Sequence, residues 1–371
     1  MNEDLAKRIL FTTMGWMTDD ISKEMADIQL FARYKYDNYQ RFFPGMRFME
    51  SLSQWLNQFE SIEERKIAYK FIKERLVFFS ETEFEQLISM AYPDYIKPYL
   101  FEETAKLIPC PDYHVSHISE SQEFKILRRQ SLFLGLSDGA RIDLFRRVNR
   151  EEGVQHDQIS LEYDIAKNKS TDLLEELEKD LTTILGRPPD SSEKQFKNLF
   201  LIDDFSASGK SYLREQNGEL KGKIAKVLEM LDDTKCPLSQ IVDKENCNIC
   251  IVLYIATDHT IEYLNEILTK ILKERATHFR IFCVQKLDEK LKLNSANEED
   301  KEFLKLIDKY YDPAVESPAT KVGGTDDVKL GFANCALPVV LYHNTPNNSI
   351  ALLWSHEDLD IKGLFPRITR H

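Results

Sequence analysis

Over roughly the first 110 residues, apolar side chains recur every three or four positions. Ile67, Ala68, Phe71, Ile72, Leu76 and Phe78 approximate one helix stripe. Thr82 and Glu85 have the spacing of a capping box ahead of Leu87, Ile88 and Met90. Pro44, Pro93 and Pro98 mark places where helices should end. The pattern predicts an all-helical module over residues 1–115. From about residue 120 short β-rich runs take over: Ser131–Leu136, Leu199–Ile202, Ile249–Ala256, Phe279–Val284 and Leu337–Tyr342. Helical patterns separate several of them, over Thr171–Leu185, Lys221–Leu231, Thr260–Arg275 and Glu298–Tyr311. Continuously apolar strands alternating with helices predict an α/β domain over residues 116–371, a mostly parallel sheet with helices on both faces. In such sheets ligands bind beyond the carboxyl ends of strands, so the residues that follow each run carry the chemistry.

Composition narrows the classes. The 371 residues carry 49 basic and 62 acidic side chains, a net charge of −13, which excludes a surface that is phosphate-binding throughout. Hydrophobic residues at 42% are enough for a real core. The six cysteines are dispersed, too few for a disulfide scaffold of this length. Cys247 and Cys250 form a CxxC, but no second pair or nearby histidine completes a four-ligand metal set, and the expectation is two strand-associated thiols. The longest apolar run, Ile249–Ala256, is far shorter than a membrane span, and the Ile9–Met17 stretch lacks the flanks of a signal peptide. A cytoplasmic protein without membrane contact is expected. Glycine is scarce, 13 residues, so a glycine in a turn is informative.

The most specific motif is Leu199-Phe-Leu-Ile-Asp-Asp-Phe-Ser-Ala-Ser-Gly-Lys-Ser211. It reads as a buried strand, two carboxylates at its end, and a turn of small residues from which a helix starts at about Ser211. Backbone N–H groups in such a turn can wrap a phosphate. Asp203 and Asp204 can accept hydrogen bonds from a ribose diol or hold Mg²⁺ through its waters. Acids beside a phosphate cradle are tolerable only when they face the ligand's hydroxyls or a cation. Ser208-Gly-Lys-Ser211 also matches the end of a Walker A loop, but Asp204 stands where that pattern requires glycine.

Two further segments follow predicted strands. Ser137, Asp138, Gly139, Ala140 and Arg141 form a turn, with Arg146 and Arg147 downstream. Residues 121–150 hold seven basic and three acidic side chains, a local +4, whereas 151–190 come to −7. An arginine-rich island at a strand end suits an anionic leaving group, although Arg146 and Arg147 could equally pair with the acidic stretch that follows. Past Leu337–Leu341, the run from His343 to Ser349 is polar apart from one proline. His343 is a candidate acid or base, and Asn344, Asn347 and Asn348 are suited to reading polar ligand edges. Gly323–Asp327 is a candidate closing loop.

The central motif resembles the phosphoribosyl-diphosphate (PRPP) loop of type I phosphoribosyltransferases. That resemblance implies ribose contacts from Asp203 and Asp204, and a 5′-phosphate held by Ser206, Ala207, Ser208, Gly209, Lys210 and Ser211. Together with Gly135-Leu-Ser-Asp-Gly-Ala-Arg141 and the His343 segment near Trp354, the chain resembles, over about residues 125–367, the phosphoribosyltransferase-like effectors of bacterial conflict systems. Those accompany retrons and related anti-phage loci. The resemblance implies a toxic effector held in check by a protein or nucleoprotein partner, such as a reverse transcriptase with its non-coding RNA or DNA; oligomerisation is left open. Lys210 is bulkier than the threonine or glycine common at that position in metabolic members.

The first reading is therefore an enzyme that binds PRPP or a nucleotide with Mg²⁺ and acts at the anomeric carbon, by pentosyl transfer or N-glycosidic chemistry. The alternatives are a non-catalytic sensor of PRPP or nucleotide, and a nucleoprotein-binding subunit of a defence complex that uses the basic 121–150 island.

Overall fold

Nine strands are present among the described residues: β1 (Val77–Phe79), β2 (Ser131–Gly135), β3 (Ile159–Ser160), β4 (Asn198–Ser206), β5 (Arg214–Gln216), β6 (Glu219–Lys221), β7 (Asn248–Thr257), β8 (Phe279–Leu287) and β9 (Val339–Leu341). The computed structural model describes residues 3–40, 42, 47–273, 277–356 and 359–367. Pro44 and Arg275, used above as helix boundaries, lie outside the described residues. The chain divides into two compact units, Met1–Phe84 with Asp288–His371, and Glu85–Leu287. Residues 1–115, read from the sequence as one helical module, contribute to both.

In the first unit the helices include Glu3–Met14, Phe48–Asn57, Ile62–Glu74 and Glu298–Tyr310. Phe71 stacks on Phe303 with centroids 3.8 Å apart, which ties an N-terminal helix to a C-terminal one. The N-terminal part is not all helix. Phe78, placed by its spacing on a helix stripe, lies in β1, which pairs in parallel with β9 in the register Val77 to Val339. The run at 337–342 thus pairs here and stays out of the main sheet. The stripe runs past the end of its helix because Phe78 is buried in a strand as readily as it would be on a helix face. The capping box also sits two residues earlier than its spacing suggested. Ser80 Oγ accepts from Glu83 N at 3.3 Å while Glu83 Oε2 accepts from Ser80 N at 2.8 Å, so the helix Glu81–Met90 starts as soon as β1 ends.

The second unit is an α/β body around a five-stranded, all-parallel sheet in the order β3-β2-β4-β7-β8. Ile249 to Ala256 of β7 are all buried, as expected of a strand covered on both faces. Alternation along the strands splits the core. Leu132, Leu134, Leu199, Leu201 and Ile251 pack on helices Lys167–Leu185, Lys223–Asp232 and Asp258–Leu272. On the other face Phe133 and Phe200 stack at 5.1 Å, with Phe145 against the first and Tyr99 against the second. Such aromatic pairs contribute ~0.5–1.5 kcal/mol beyond their buried area.

The strand order creates the site's position. From β2 the chain runs outward to β3, then returns to the other side of β2 for β4 and continues to β7 and β8. The connections after β2 and β4 therefore leave in opposite directions. The gap between their carboxyl ends is the switch point where doubly wound sheets bind ligands.

Candidate functional site

β4 runs to Ser206, four residues beyond its expected end at Ile202, because Asp203, Phe205 and Ser206 continue the ladder against Leu253, Ile255 and Ala256. The two acids are therefore inside the strand, where successive side chains point to opposite faces. Asp203 shares the face of Leu199 and Leu201. Asp204 turns to the other.

Asp203 is fully buried. Its Oδ1 accepts from Ser137 Oγ and from Asp204 N, the latter at 3.1 Å. Its Oδ2 accepts from Tyr212 OH at 2.7 Å and from Lys223 Nζ at 2.5 Å. Burial pushes the Asp203 carboxyl above its ordinary range, and the Lys223 ammonium opposes that shift. Burial also pushes the Tyr212 phenol well up, so it donates as a neutral hydroxyl.

Asp204 is half-buried, and its Oδ1 accepts from Phe205 N at 2.8 Å. Its carboxylate lies against the backbone of Gly139, so closely that a Cβ there would meet Oδ2. The ladder continues one residue past β2, Leu136 N to Ile202 O at 2.9 Å, which brings the Ser137–Arg141 turn beside the acids. Arg141 closes that turn in the left-handed region, φ +44, before the helix Ile142–Val148. A non-glycine residue there costs on the order of 1 kcal/mol and persists only where its surroundings fix it.

The small-residue turn follows β4, with Ala207 and Ser208 buried. Gly209 has φ +69, and Tyr212 N and Leu213 N both donate to its carbonyl, at 2.9 and 3.1 Å. Among the described residues, the N–H groups of Ser208, Gly209 and Ser211 have no acceptor. Three such donors in one tight turn can bind an anion. No helix starts at Ser211. The β5–β6 hairpin intervenes, and the helix begins at Lys223. The Asn217-Gly218 pair, with φ +55 and +79, supplies the tight hairpin turn that the helix expectation overlooked.

The basic island is partly committed elsewhere. Arg129, buried, pairs with Asp157 and with Asp180, the latter at 2.6 Å. Arg147 pairs with Asp143 of its own helix at 3.1 Å rather than with the following acidic stretch. Arg146 is half-buried and has no ion-pair partner among the described residues.

The structure thus brings together Ser137, Gly139, Asp203, Asp204 and the 206–211 turn. The His343 segment belongs to the first unit. There His343 is buried between the rings of Phe84 and Tyr342, each 5.0 Å away. Asn344 Oδ1 accepts from Thr345 N at 2.9 Å, Asn347 O accepts from Phe332 N at 2.6 Å, and Asn348 Nδ2 donates to Phe332 O at 3.3 Å. Two residues of the site, Tyr212 and Lys223, were missed in the sequence. The available signal was a lysine directly after Gly222, at a helix start where a cation is disfavoured.

For a divalent cation the fit is limited. No group of three or more His, Cys, Asp or Glu side chains could hold a metal among the described residues. The four acceptor positions of Asp203 are filled, which leaves Asp204 to meet an ion through its waters, the usual manner of Mg²⁺ beside substrate phosphates. Cys247 and Cys250 are buried free thiols at β7. Burial pushes Cys247 up to about 12. No helix among the described residues is long and apolar enough to cross a membrane.

Neither the curated proteins nor the solved structures hold a match to this chain. Residues 52–367, which take in helices that no motif in the sequence identified, match the PRTase-CE family model, and the chain belongs to that phosphoribosyltransferase-like family.

Proposed function

We propose that the chain binds a 5-phosphorylated ribose, PRPP or a nucleotide, at the switch point between β2 and β4 and acts at its anomeric carbon. One observation carries this reading: the acidic pair and the anion-binding turn after β4 lie beside the Gly139 turn after the adjacent parallel strand. In this arrangement the N–H groups of Ser208, Gly209 and Ser211 hold the phosphate, and the acidic pair defines the place of the ribose. The Ser137–Arg141 turn, with Arg146 nearby in sequence, receives the leaving group. Mg²⁺, when bound, neutralises a pyrophosphate leaving group. The bond from C1 to pyrophosphate oxygen or to a base nitrogen breaks, the electron pair leaves with that group, and an incoming nucleophile bonds to C1.

The resemblance to conflict-system effectors supports a role in bacterial anti-phage defence, in the cytoplasm, toxic when released from a restraining protein or nucleoprotein partner. The six dispersed cysteines, four of them buried, agree with a reducing compartment. The His343 segment takes no part in this proposal, since Asn344, Asn347 and Asn348 are bonded within the first unit. A second reading, a non-catalytic sensor, is favoured by one observation: Asp203 is saturated by protein donors. Incubation with Mg²⁺ and PRPP, NAD or nucleoside triphosphates, followed by anion-exchange chromatography, tests both. Depletion that Asp204→Asn abolishes supports the enzyme, and calorimetric binding without depletion supports the sensor. Absence of both binding and depletion would overturn the site.

A further inference from the structure

We infer that Lys223 is a built-in cation of this site: it neutralises and anchors Asp203, leaving Asp204 as the one carboxylate of the pair that meets a ligand. The ligand half of this statement rests on the proposed function; the pairing half does not.

A carboxylate offers about four acceptor positions. Those of Asp203 are taken by Ser137 Oγ, Asp204 N, Tyr212 OH and Lys223 Nζ, and the side chain has no exposed surface. A ribose hydroxyl or a metal could reach it only by displacing one of these donors. A fully buried carboxylate also needs a counter-charge, and Lys223 is the cation that touches it.

The position of Lys223 is locally unfavourable. It is the first residue of its helix, where the dipole disfavours a cation, and no acid stands in that first turn. The preceding Gly222 offers no side-chain cap and has φ +119. A Cβ there would come within 2.4 Å of Tyr212 O. This close approach lets Lys223 N donate to Ser211 O at 3.2 Å and Ile224 N to Tyr212 O at 2.8 Å, clamping the helix start onto the end of the anion-binding turn. The Lys223 ammonium also lies 5.1 Å from the centre of the Tyr212 ring. Backbone bend, absent cap and misplaced charge have one common explanation, delivery of the ammonium to Asp203. The turn that would hold the phosphate lies in the stretch of chain closed by this ion pair.

The test uses the full chain with Lys223→Met, Asp203→Asn, Asp204→Asn, Lys223→Arg and the doubles. Ligand-free urea midpoints of the first two and their double should be strongly non-additive, with the double more stable than Lys223→Met alone, while Lys223→Met and Asp204→Asn should couple more weakly. Lys223→Arg should restore part of the midpoint. Should Lys223→Met fail to fold, Lys223→Arg against Asp203→Asn completes the cycle. With PRPP and Mg²⁺ in a calorimeter, Lys223→Met should weaken binding about tenfold or more, and adding Asp203→Asn should recover most of it. Asp204→Asn should lose binding to a similar extent, with no recovery from any change at Lys223. Additive midpoints for Asp203 and Lys223 overturn the pairing. A double that binds no better than Lys223→Met alone overturns the assignment of the ligand to Asp204. Absence of PRPP binding by the wild-type chain counts against the proposed function, and the midpoints then decide the pairing.

Discussion

A Cβ built on Gly139 would stand 2.0 Å from Oδ2 of Asp204, less than any non-bonded contact allows. The turn after β2 and the acid in β4 therefore fit together only with a glycine at 139. Gly139→Ala should push the Asp204 carboxylate from its place without touching the buried Asp203 face of the sheet. The expected outcome is a folded protein by circular dichroism whose affinity for PRPP with Mg²⁺ falls by about tenfold or more. Unchanged affinity in calorimetry would show that Asp204 does not face the ligand.

Gly209 makes a second test of the same site from the turn proposed to hold the phosphate. Its φ of +69 disfavours a side chain, and a Cβ would also meet Tyr263 Cδ1 at 2.7 Å. Gly209→Ala should destabilise the protein by about 1 kcal/mol or more through its backbone alone. Pairing it with Tyr263→Ala removes the collision but not the dihedral strain, so the double should still bind inorganic pyrophosphate or PRPP poorly. Full recovery of binding in the double would show that the ring, rather than the turn conformation, was responsible.

Much of this architecture can be read from the order of residues, and the exceptions have physical causes. β7 announces itself because a strand buried on both faces has no polar interruption between Ile249 and Ala256. The end of β4 is obscured because Asp203 and Asp204 look like loop residues, although their strand simply continues. Once the strand is known to reach Ser206, period-two alternation alone assigns the two acids to different environments. The pairing of β1 with β9 joins residues more than 250 positions apart, and no local pattern encodes it. Lys223 and Asp203 are separated by a hairpin that reads as helix if its Asn217-Gly218 turn is overlooked. The positive balance of residues 121–150 gives no warning that Arg129 is buried between two aspartates.

The cysteines divide by accessibility into two groups. Cys110 and Cys236 are half-buried, whereas Cys247, Cys250, Cys283 and Cys335 are buried. Burial pushes Cys247 to about 12 and Cys283 to about 11, so both remain protonated near neutral pH and react poorly. A thiol-reactive reagent at pH 8 should therefore modify Cys110 and Cys236 in the native protein, and the remaining four only in denaturant. Rapid native modification of Cys247 or Cys250, mapped by peptide mass, would contradict their placement at β7.

Glu64 provides a pH dependence whose sign can be worked out. A hydrogen bond from Lys309, with others from Tyr310 OH and Ser61 N, holds its carboxyl down from 4.5 to about 2. The folded protein therefore binds fewer protons at this position than the unfolded chain between those two values. The stabilisation from Glu64 is complete above pH 4.5 and is lost as pH falls toward 2. Glu64→Gln cannot titrate, yet its amide oxygen can still accept from Ser61 N, so the helix start at Ile62 keeps its cap. Urea midpoints should show the wild type ahead of Glu64→Gln at pH 7, with the gap closing steadily below pH 4.5. A gap that stays constant down to pH 3 would mean that Lys309 and Tyr310 do not hold the carboxylate in the folded state.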